Sequence, residues 1–144
     1  MLTIAAVWRS KRAAEGAQRA AEATRTSFAQ YDAVADLSAA TALMDEIRRL
    51  QRLRAWPILP DRYAELRRKL VALKGSAAKL TDEQRQTFQG TVETFADLER
   101  RIERAISTSA MPPNPAKLNE IVSTQIDRVQ AVLLAVQRNL GAKT

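Results

Sequence analysis

Residues 1–56 contain no proline, and small or apolar side chains recur through them at steps of three and four. This periodicity predicts a single α-helix from about residue 3 to about residue 54, which would be about 75 Å long at the standard rise of 1.5 Å per residue. The remaining helices must then pack along part of this one. The predicted stripe consists of Ala13, Ala17, Ala20, Thr24, Phe28, Tyr31, Ala35, Ala39, Leu43, Ile47 and Leu50.

The stripe changes character along the helix. Up to Thr24 it consists of alanine and threonine, whereas large apolar or aromatic side chains begin at Phe28. Alanines allow a second helix to approach closely but bury little apolar area. We therefore expect residues 1–27 to form a helical stalk that is continuous with a bundle formed by residues 28–144. The candidate contact surface between copies of the stalk consists of Ala13, Ala17, Ala20 and Thr24.

The composition of the whole chain favours helix over sheet, because its glycines are few and isolated and residues with high helix propensity dominate. Apolar periodicity predicts a short helix over 61–74 and two long antiparallel helices over 82–107 and 115–140. The last helix has the widest apolar arc, so we expect it to lie centrally. The predicted fold is all-α, a three- to four-helix bundle with a projecting N-terminal stalk, in which the short helix lies across one end or fills part of a fourth side.

The predicted helix boundaries follow from capping residues and prolines. The segment Trp56-Pro57-Ile58-Leu59-Pro60 is expected to end the first helix, and Asp61 to cap the second. Thr81 with Gln84 matches the capping box of the third helix. Asn114 followed by Pro115 predicts the start of the fourth.

The chain contains no histidine and no cysteine, which excludes zinc fingers, cysteine redox pairs and Cys or His nucleophiles. The acidic residues from Glu93 to Glu103 alternate with arginines at the spacing of surface ion pairs. Isolated glycines cannot form a phosphate-binding loop, and no serine or lysine lies in a catalytic motif. We expect a protein that is not an enzyme and that uses no cofactor and no metal.

The N-terminal residues combine a short apolar run with an aromatic and basic end. The candidate membrane-proximal residues are Ile4, Val7, Trp8, Arg9, Lys11 and Arg12. The order apolar, tryptophan, basic is that of a transmembrane helix leaving the cytoplasmic face, and it argues against a secretory signal peptide, whose charges come first. Eight residues reach only about 12 Å as a helix and cannot cross a bilayer. The run is therefore interpreted as the end of a membrane anchor, a shallow interfacial anchor or an ordinary helix start.

The formal charge of +7 is concentrated between Arg48 and Lys79, where ten basic residues and two acidic ones give +8. This segment is a candidate surface for an acidic protein, for anionic lipid or for nucleic-acid phosphates, and the alternative is a solvated rim of the bundle. No helix-turn-helix or stacking aromatic supports nucleic acid. The candidate binding residues are Arg48, Arg49, Arg52, Arg54, Trp56, Arg62, Arg67, Arg68 and Lys69.

These patterns predict a binding protein on the cytoplasmic side, at the inner face of a membrane and oligomeric through its N-terminal helix. Its partner would be another protein or a second copy of the chain, with an anionic membrane surface as a further contact. The alternatives are a basic helical protein associated with nucleic acid and a structural coiled-coil oligomer.

Overall fold

A computed structural model describes residues 4–141, which form four α-helices and no β-strand. Helix α1 spans Ile4–Arg52, α2 spans Leu59–Lys74, α3 spans Asp82–Thr108 and α4 spans Pro115–Gly141, with a single 3-10 turn at Trp56–Ile58 before α2. The all-α prediction is confirmed. The predicted start of α1 at about residue 3 lies outside the described residues.

Helix α1 ends two residues before the predicted boundary, and its end is closed by its own backbone. Arg54 adopts a left-handed conformation with φ of 56°. Its amide donates to the carbonyl of Gln51 at 3.1 Å, and the amide of Ala55 donates to the carbonyl of Leu50 at 3.0 Å. This is the Schellman arrangement, which satisfies carbonyls that a helix end leaves free. The chain therefore turns before it reaches Pro57.

The predicted cap of α2 at Asp61 is wrong. The helix begins at Leu59, with Ile58 as its N-cap and no side-chain cap hydrogen bond, and Asp61 lies within the first turn. Pro60 explains the difference, because its fixed φ and missing amide suit the first turn of a helix, where amides have no intrahelical partner. A carboxylate in the first turn still interacts favourably with the helix dipole.

The starts of the two long helices agree with the sequence. The Thr81 hydroxyl accepts from the Gln84 amide at 3.0 Å, and the Gln84 side chain accepts from the Thr81 amide at 3.0 Å. At α4, the Asn114 carboxamide oxygen accepts from the Ala116 amide at 2.9 Å. Both caps are fixed by a few neighbouring residues, which is why the sequence predicted them.

The four helices form a ring in which α1, α2, α3 and α4 follow one another, with the most extensive contacts between α2 and α3 and between α1 and α4. The short helix α2 fills one side of the ring. Helix α4 contacts two neighbouring helices. It packs closely against α1 and only lightly against α3. The core contains Leu37, Met44, Ile47, Leu59, Tyr63, Leu66, Leu70, Phe88, Phe95, Leu98, Ile102, Val122 and Val129, all nearly or fully buried.

The prediction that Phe28 and Tyr31 begin the core is wrong, because their side chains are 67% and 58% exposed. The second half of α1 carries two apolar stripes, and the bundle buries the one that is richer in aliphatic side chains. It consists of Ala33, Leu37, Ala40 and Met44, together with Leu43, Ile47 and Leu50 of the predicted stripe, which are buried as well. The free energy gained by burying a side chain scales with its apolar area. Burying leucine, methionine and isoleucine is therefore more favourable than burying Ala35 and Ala39 on the competing stripe.

Candidate functional site

Helix α1 extends far beyond the helix that it packs against. Nη1 of Arg48 donates to Oγ of Ser123 at 3.0 Å, and Nε2 of Gln51 donates to Oδ1 of Asn119 at 2.7 Å. These two contacts show that α1 and α4 are antiparallel, and the same register places Gly141 opposite about residue 30, at equal rise per residue. The part of α1 before that level, residues 4–29, is defined here as the projecting segment.

The projecting segment makes almost no contact with the bundle. Within it only Ala6, Thr26 and Ala29 are partly buried, and the first buried residue of α1 is Gln30. At 1.5 Å per residue the segment is about 39 Å long. A helix of this length carries its side chains well away from the rest of the fold.

One face of α1 is uncharged from the projecting segment into the bundle. Two sets of positions, each repeating every seven residues, contain only apolar or small neutral side chains. All eleven positions are exposed, and we call them the heptad stripe. The stripe consists of Val7, Ser10, Ala14, Ala17, Ala21, Thr24, Phe28, Tyr31, Ala35, Ser38 and Ala42.

Sequence reasoning missed the second half of this stripe. The spacing indicated a helical face, but Phe28 and Tyr31 were assigned to the core because they are large. The absence of charge at seven-residue intervals continues from Val7 to Ala42, which is the period of a coiled-coil contact. That regularity could have distinguished the stripe from the buried face.

The predicted oligomer seam lies on exposed surface of the projecting segment. Ala17 and Thr24 belong to the heptad stripe, whereas Ala13 and Ala20 lie along its edge. All four side chains point to solvent in the single chain. They are continuous with Phe28 and Tyr31, so small and large apolar side chains together form one surface.

The candidate membrane-proximal residues lie on the first turns of α1. At helical spacing Ile4, Val7, Trp8 and Lys11 share one face, Arg12 flanks it, and Arg9 lies on the opposite side of the helix. All six side chains are exposed, and Nζ of Lys11 lies 5.8 Å from the centroid of the Trp8 ring. No helix within residues 4–141 combines the length and hydropathy needed to cross a membrane.

Three of the candidate basic residues form ion pairs within the fold. Arg67 of α2 pairs with Glu99 of α3, and Arg48 pairs with Asp45 on the same helix. Arg62 contacts Glu46 of α1 at 3.7 Å and Glu65 at 3.2 Å. These arginines therefore join neighbouring helices or brace one turn.

The other basic candidates are spread over two helices. Arg49 and Arg52 lie on the last turns of α1, and Arg54 follows them in the turn between α1 and α2. Arg68 and Lys69 lie in the second half of α2. Since α2 runs away from that turn, the two groups are separated by about 15 Å along its axis. Trp56 is half-buried and packs against the core. The structure thus divides the basic segment into smaller groups.

The interior contains polar side chains that hydrogen-bond to one another. Oη of Tyr63 donates to Oε1 of the fully buried Gln51 at 2.7 Å, and Gln51 in turn donates to Asn119. Oγ1 of Thr91 donates to Oε1 of Gln125 at 2.7 Å. Burial raises the pKa of the Tyr63 phenol. These groups cross-link helices and lie away from solvent, which is the arrangement of structural polar residues.

The surface depressions are shallow and open, including the one between α3 and α4 lined in part by Gln84 and Arg128. Among residues 4–141, no group of three or more acidic residues is placed to hold a metal ion. No protein-family model, no curated protein and no solved structure matches the chain. The function is therefore argued from the projecting segment and its continuation.

Proposed function

We propose that this chain is a non-enzymatic interaction module in which the bundle supports α1 and α1 binds the partner. The observation that carries the proposal is the heptad stripe, which is exposed and uncharged over eleven positions. From Val7 to Ala42 it extends about 53 Å. An apolar surface of this extent on a folded protein is typical of an interaction site.

The period of the stripe supports a helix as the partner. Side chains repeating at alternating steps of three and four pack into the spaces between side chains of a second helix. The small residues allow the two backbones to approach closely, while Phe28 and Tyr31 offer large anchors for a contact. Both aromatic rings are exposed in the single chain.

Photo-crosslinking inside cells tests this function. A photoreactive phenylalanine derivative placed at Phe28, on the stripe, is expected to give specific adducts with protein. The matched control carries the same group at Leu134, which is exposed on α4 and lies away from the stripe. Adducts at Leu134 equal to those at Phe28, or none from Phe28, Tyr31 and Ala35 alike, would contradict the proposal.

A membrane-proximal location is the second part of the proposal. It is supported by the exposed Trp8, with the exposed Arg12 one turn further along the same side of α1, away from the heptad stripe. This is the composition with which amphipathic helices contact an anionic surface, apolar groups in the interface and cations at the headgroups. Such a contact would hold the bundle at the cytoplasmic face.

Flotation with vesicles containing phosphatidylserine tests the location. The full chain is expected to float with them and to float less with neutral vesicles, and Trp8→Ala with Arg12→Glu is expected to reduce flotation. The matched control is Arg104→Glu, which changes the charge at an exposed position of α3 outside the basic segment. If the floating fraction contains as much of the chain without vesicles as with them, the membrane contact is refuted.

A further inference from the structure

We propose that the partner of the heptad stripe is a second copy of this chain, bound antiparallel, with Phe28 of each copy against Tyr31 of the other. This rests on the proposed function, that α1 is the binding surface, and it names the partner and its orientation. The two copies are related by a two-fold axis that passes between Phe28 and Tyr31. Each projecting segment then lies along the outer face of the other copy's α1.

The stripe itself fits this pairing. About the same axis Thr24 meets Ala35 of the second copy, Ala21 meets Ser38, and Ala17 meets Ala42. Each pair joins a residue of one seven-residue set to a residue of the other set, as in antiparallel coiled coils. The largest side chains meet at the centre and small ones elsewhere. In this register the stripe pairs with itself from Ala17 to Ala42, between three and four heptads, which is the length that indicates a coiled coil. Val7, Ser10 and Ala14 instead face Arg52, Arg49 and Asp45 of the second copy.

The charges beside the stripe select the antiparallel orientation. Along one edge, residues at seven-residue intervals include two basic side chains in the first half, Lys11 and Arg25, and two acidic side chains in the second, Asp32 and Glu46. This edge consists of Ile4, Lys11, Gln18, Arg25, Asp32, Ala39, Glu46 and Leu53. In the proposed register Arg25 faces Asp32 of the second copy and Lys11 faces Glu46, and symmetry gives each pair twice.

The apolar residues of the same edge also match. Ile4 faces Leu53 of the second copy, and these side chains are 78% and 65% exposed in the single chain. Gln18 faces Ala39. One register thus pairs opposite charges with each other and exposed aliphatic side chains with each other. In the described chain Arg25 and Asp32 form no ion pair, and Glu46 has only the 3.7 Å contact with Arg62.

A parallel pair lacks these contacts. Parallel helices place one edge of the stripe against the opposite edge of the partner. The opposite edge of α1 is uncharged up to Thr41 and consists there of Ala6, Ala13, Ala20, Ser27, Val34 and Thr41, with Arg48 at its end. Charged residues would then face alanine and serine, and none of the four ion pairs could form.

The bundle leaves room for the second helix. Tyr31, Ala35, Ser38 and Ala42 face solvent, because α2 and α4 pack against other sides of α1. The contact with α2 includes Arg62 and the contact with α4 includes Ser123. In the antiparallel pair the two bundles lie at opposite ends of a shared double helix, so they do not compete for the same space.

Disulfide formation tests the orientation, and the natural chain has no cysteine to interfere. Full chains carrying Ala21→Cys and Ser38→Cys are expected to form a disulfide with each other when mixed and oxidised. Ala21→Cys alone is expected to stay reduced, because its two copies would lie about 26 Å apart along the axis, far beyond disulfide reach. Disulfide formation between two Ala21→Cys chains would overturn the antiparallel model in favour of a parallel one.

Charge reversal tests the register by sedimentation velocity of the full chain. Asp32→Arg turns two attractive pairs into two repulsive ones and is expected to weaken self-association by about tenfold. Adding Arg25→Asp should restore the association, while Arg19→Asp, away from the stripe, should leave it unchanged. If the double variant associates no better than Asp32→Arg alone, the register is wrong.

The outcome also separates this inference from the proposed function. A full chain that remains monomeric at all concentrations, while its Phe28 crosslinks to a different protein in cells, would overturn self-pairing and leave the interaction role intact. A monomeric chain without any Phe28 adduct would overturn both. Dimers that persist in every stripe variant would place the contact elsewhere on the molecule and refute the inference.

Discussion

The phenol of Tyr63 donates a 2.7 Å hydrogen bond to the side-chain oxygen of Gln51, and both side chains are fully buried. The tyrosine belongs to α2 and the glutamine to α1, and the same glutamine donates to Asn119 of α4. Three helices are therefore joined through one amide group. The Tyr63 ring also contacts Phe95 of α3, with ring centroids 5.9 Å apart.

Removing the phenol oxygen is expected to destabilise the bundle. Tyr63→Phe leaves the Gln51 oxygen buried without its donor, and such a loss reduces the free energy of unfolding by about 1–3 kcal/mol. Urea unfolding followed by circular dichroism measures the change. Tyr31→Phe is the control, because Tyr31 is exposed and its hydroxyl makes no hydrogen bond within the described chain. Equal stability of the two variants would show that the buried hydrogen bond contributes little.

The same tyrosine predicts a loss of stability at alkaline pH. Burial raises the pKa of Tyr63 above its ordinary value of 10.0, so the folded state holds this proton more tightly than the unfolded state. The contribution is complete below pH 10 and is lost as the pH rises towards the folded pKa, by up to about 1.4 kcal/mol per pH unit. Urea unfolding from pH 9 to pH 11.5 measures it.

The Tyr31→Phe variant isolates this effect, because the chain has only two tyrosines. Its tyrosinate absorbance is expected to rise together with the loss of helix signal. Tyrosinate that forms while the helices remain intact would contradict the burial of Tyr63.

The left-handed residue at the end of α1 predicts a stabilising substitution. Glycine adopts this conformation without the steric conflict that a Cβ introduces. Arg54→Gly is therefore expected to raise the free energy of unfolding by about 0.5–1 kcal/mol. Arg54→Ala removes the same charge but keeps the Cβ, so it should give no such gain. If both variants are stabilised alike, the cause is relief of charge repulsion in the turn between α1 and α2.

Gly90 lies in the interior of α3, and a Cβ built there would have nothing within 4 Å. Gly90→Ala is expected to stabilise the bundle by about 0.5–1 kcal/mol, since alanine loses less conformational entropy in a helix. Ala96→Gly, in the same helix, is the reciprocal control and should destabilise by a similar amount. Thermal unfolding monitored at 222 nm compares the variants with the natural chain.

Local features of the fold could be predicted from the sequence, and choices that depend on neighbouring helices could not. The Thr81 and Gln84 capping box and the Asn114 cap involve residues close in the chain, so both were predicted correctly. The burial of Leu37 and Met44 instead of Phe28 and Tyr31 depends on which face of α1 meets α2 and α4. Two stripes on one helix fit the same helical periodicity, which does not by itself decide which of them is buried.

The candidate site shows the same division. The projecting segment could be predicted, because its alanines and threonines bury too little area to anchor a core. The division of the basic segment into smaller groups could not be predicted, because Arg67 pairs with Glu99 of α3, which lies 32 residues further along the chain. Its partner depends on the contact between α2 and α3. The membrane hypothesis is tested by flotation, and the oligomer hypothesis by disulfide formation and sedimentation velocity.

The helix that carries the exposed stripe is also a wall of the core, with no break between the two parts over 49 residues. A force applied near Ile4 therefore acts at the end of a rigid lever about 39 Å long. A tilt of about 10° at Gln30 would move the free end by about 7 Å, at the standard helical rise. The same tilt would press Leu37 and Met44 against α2 and α4. A partner bound near Ile4 would therefore transmit force through α1 to the bundle.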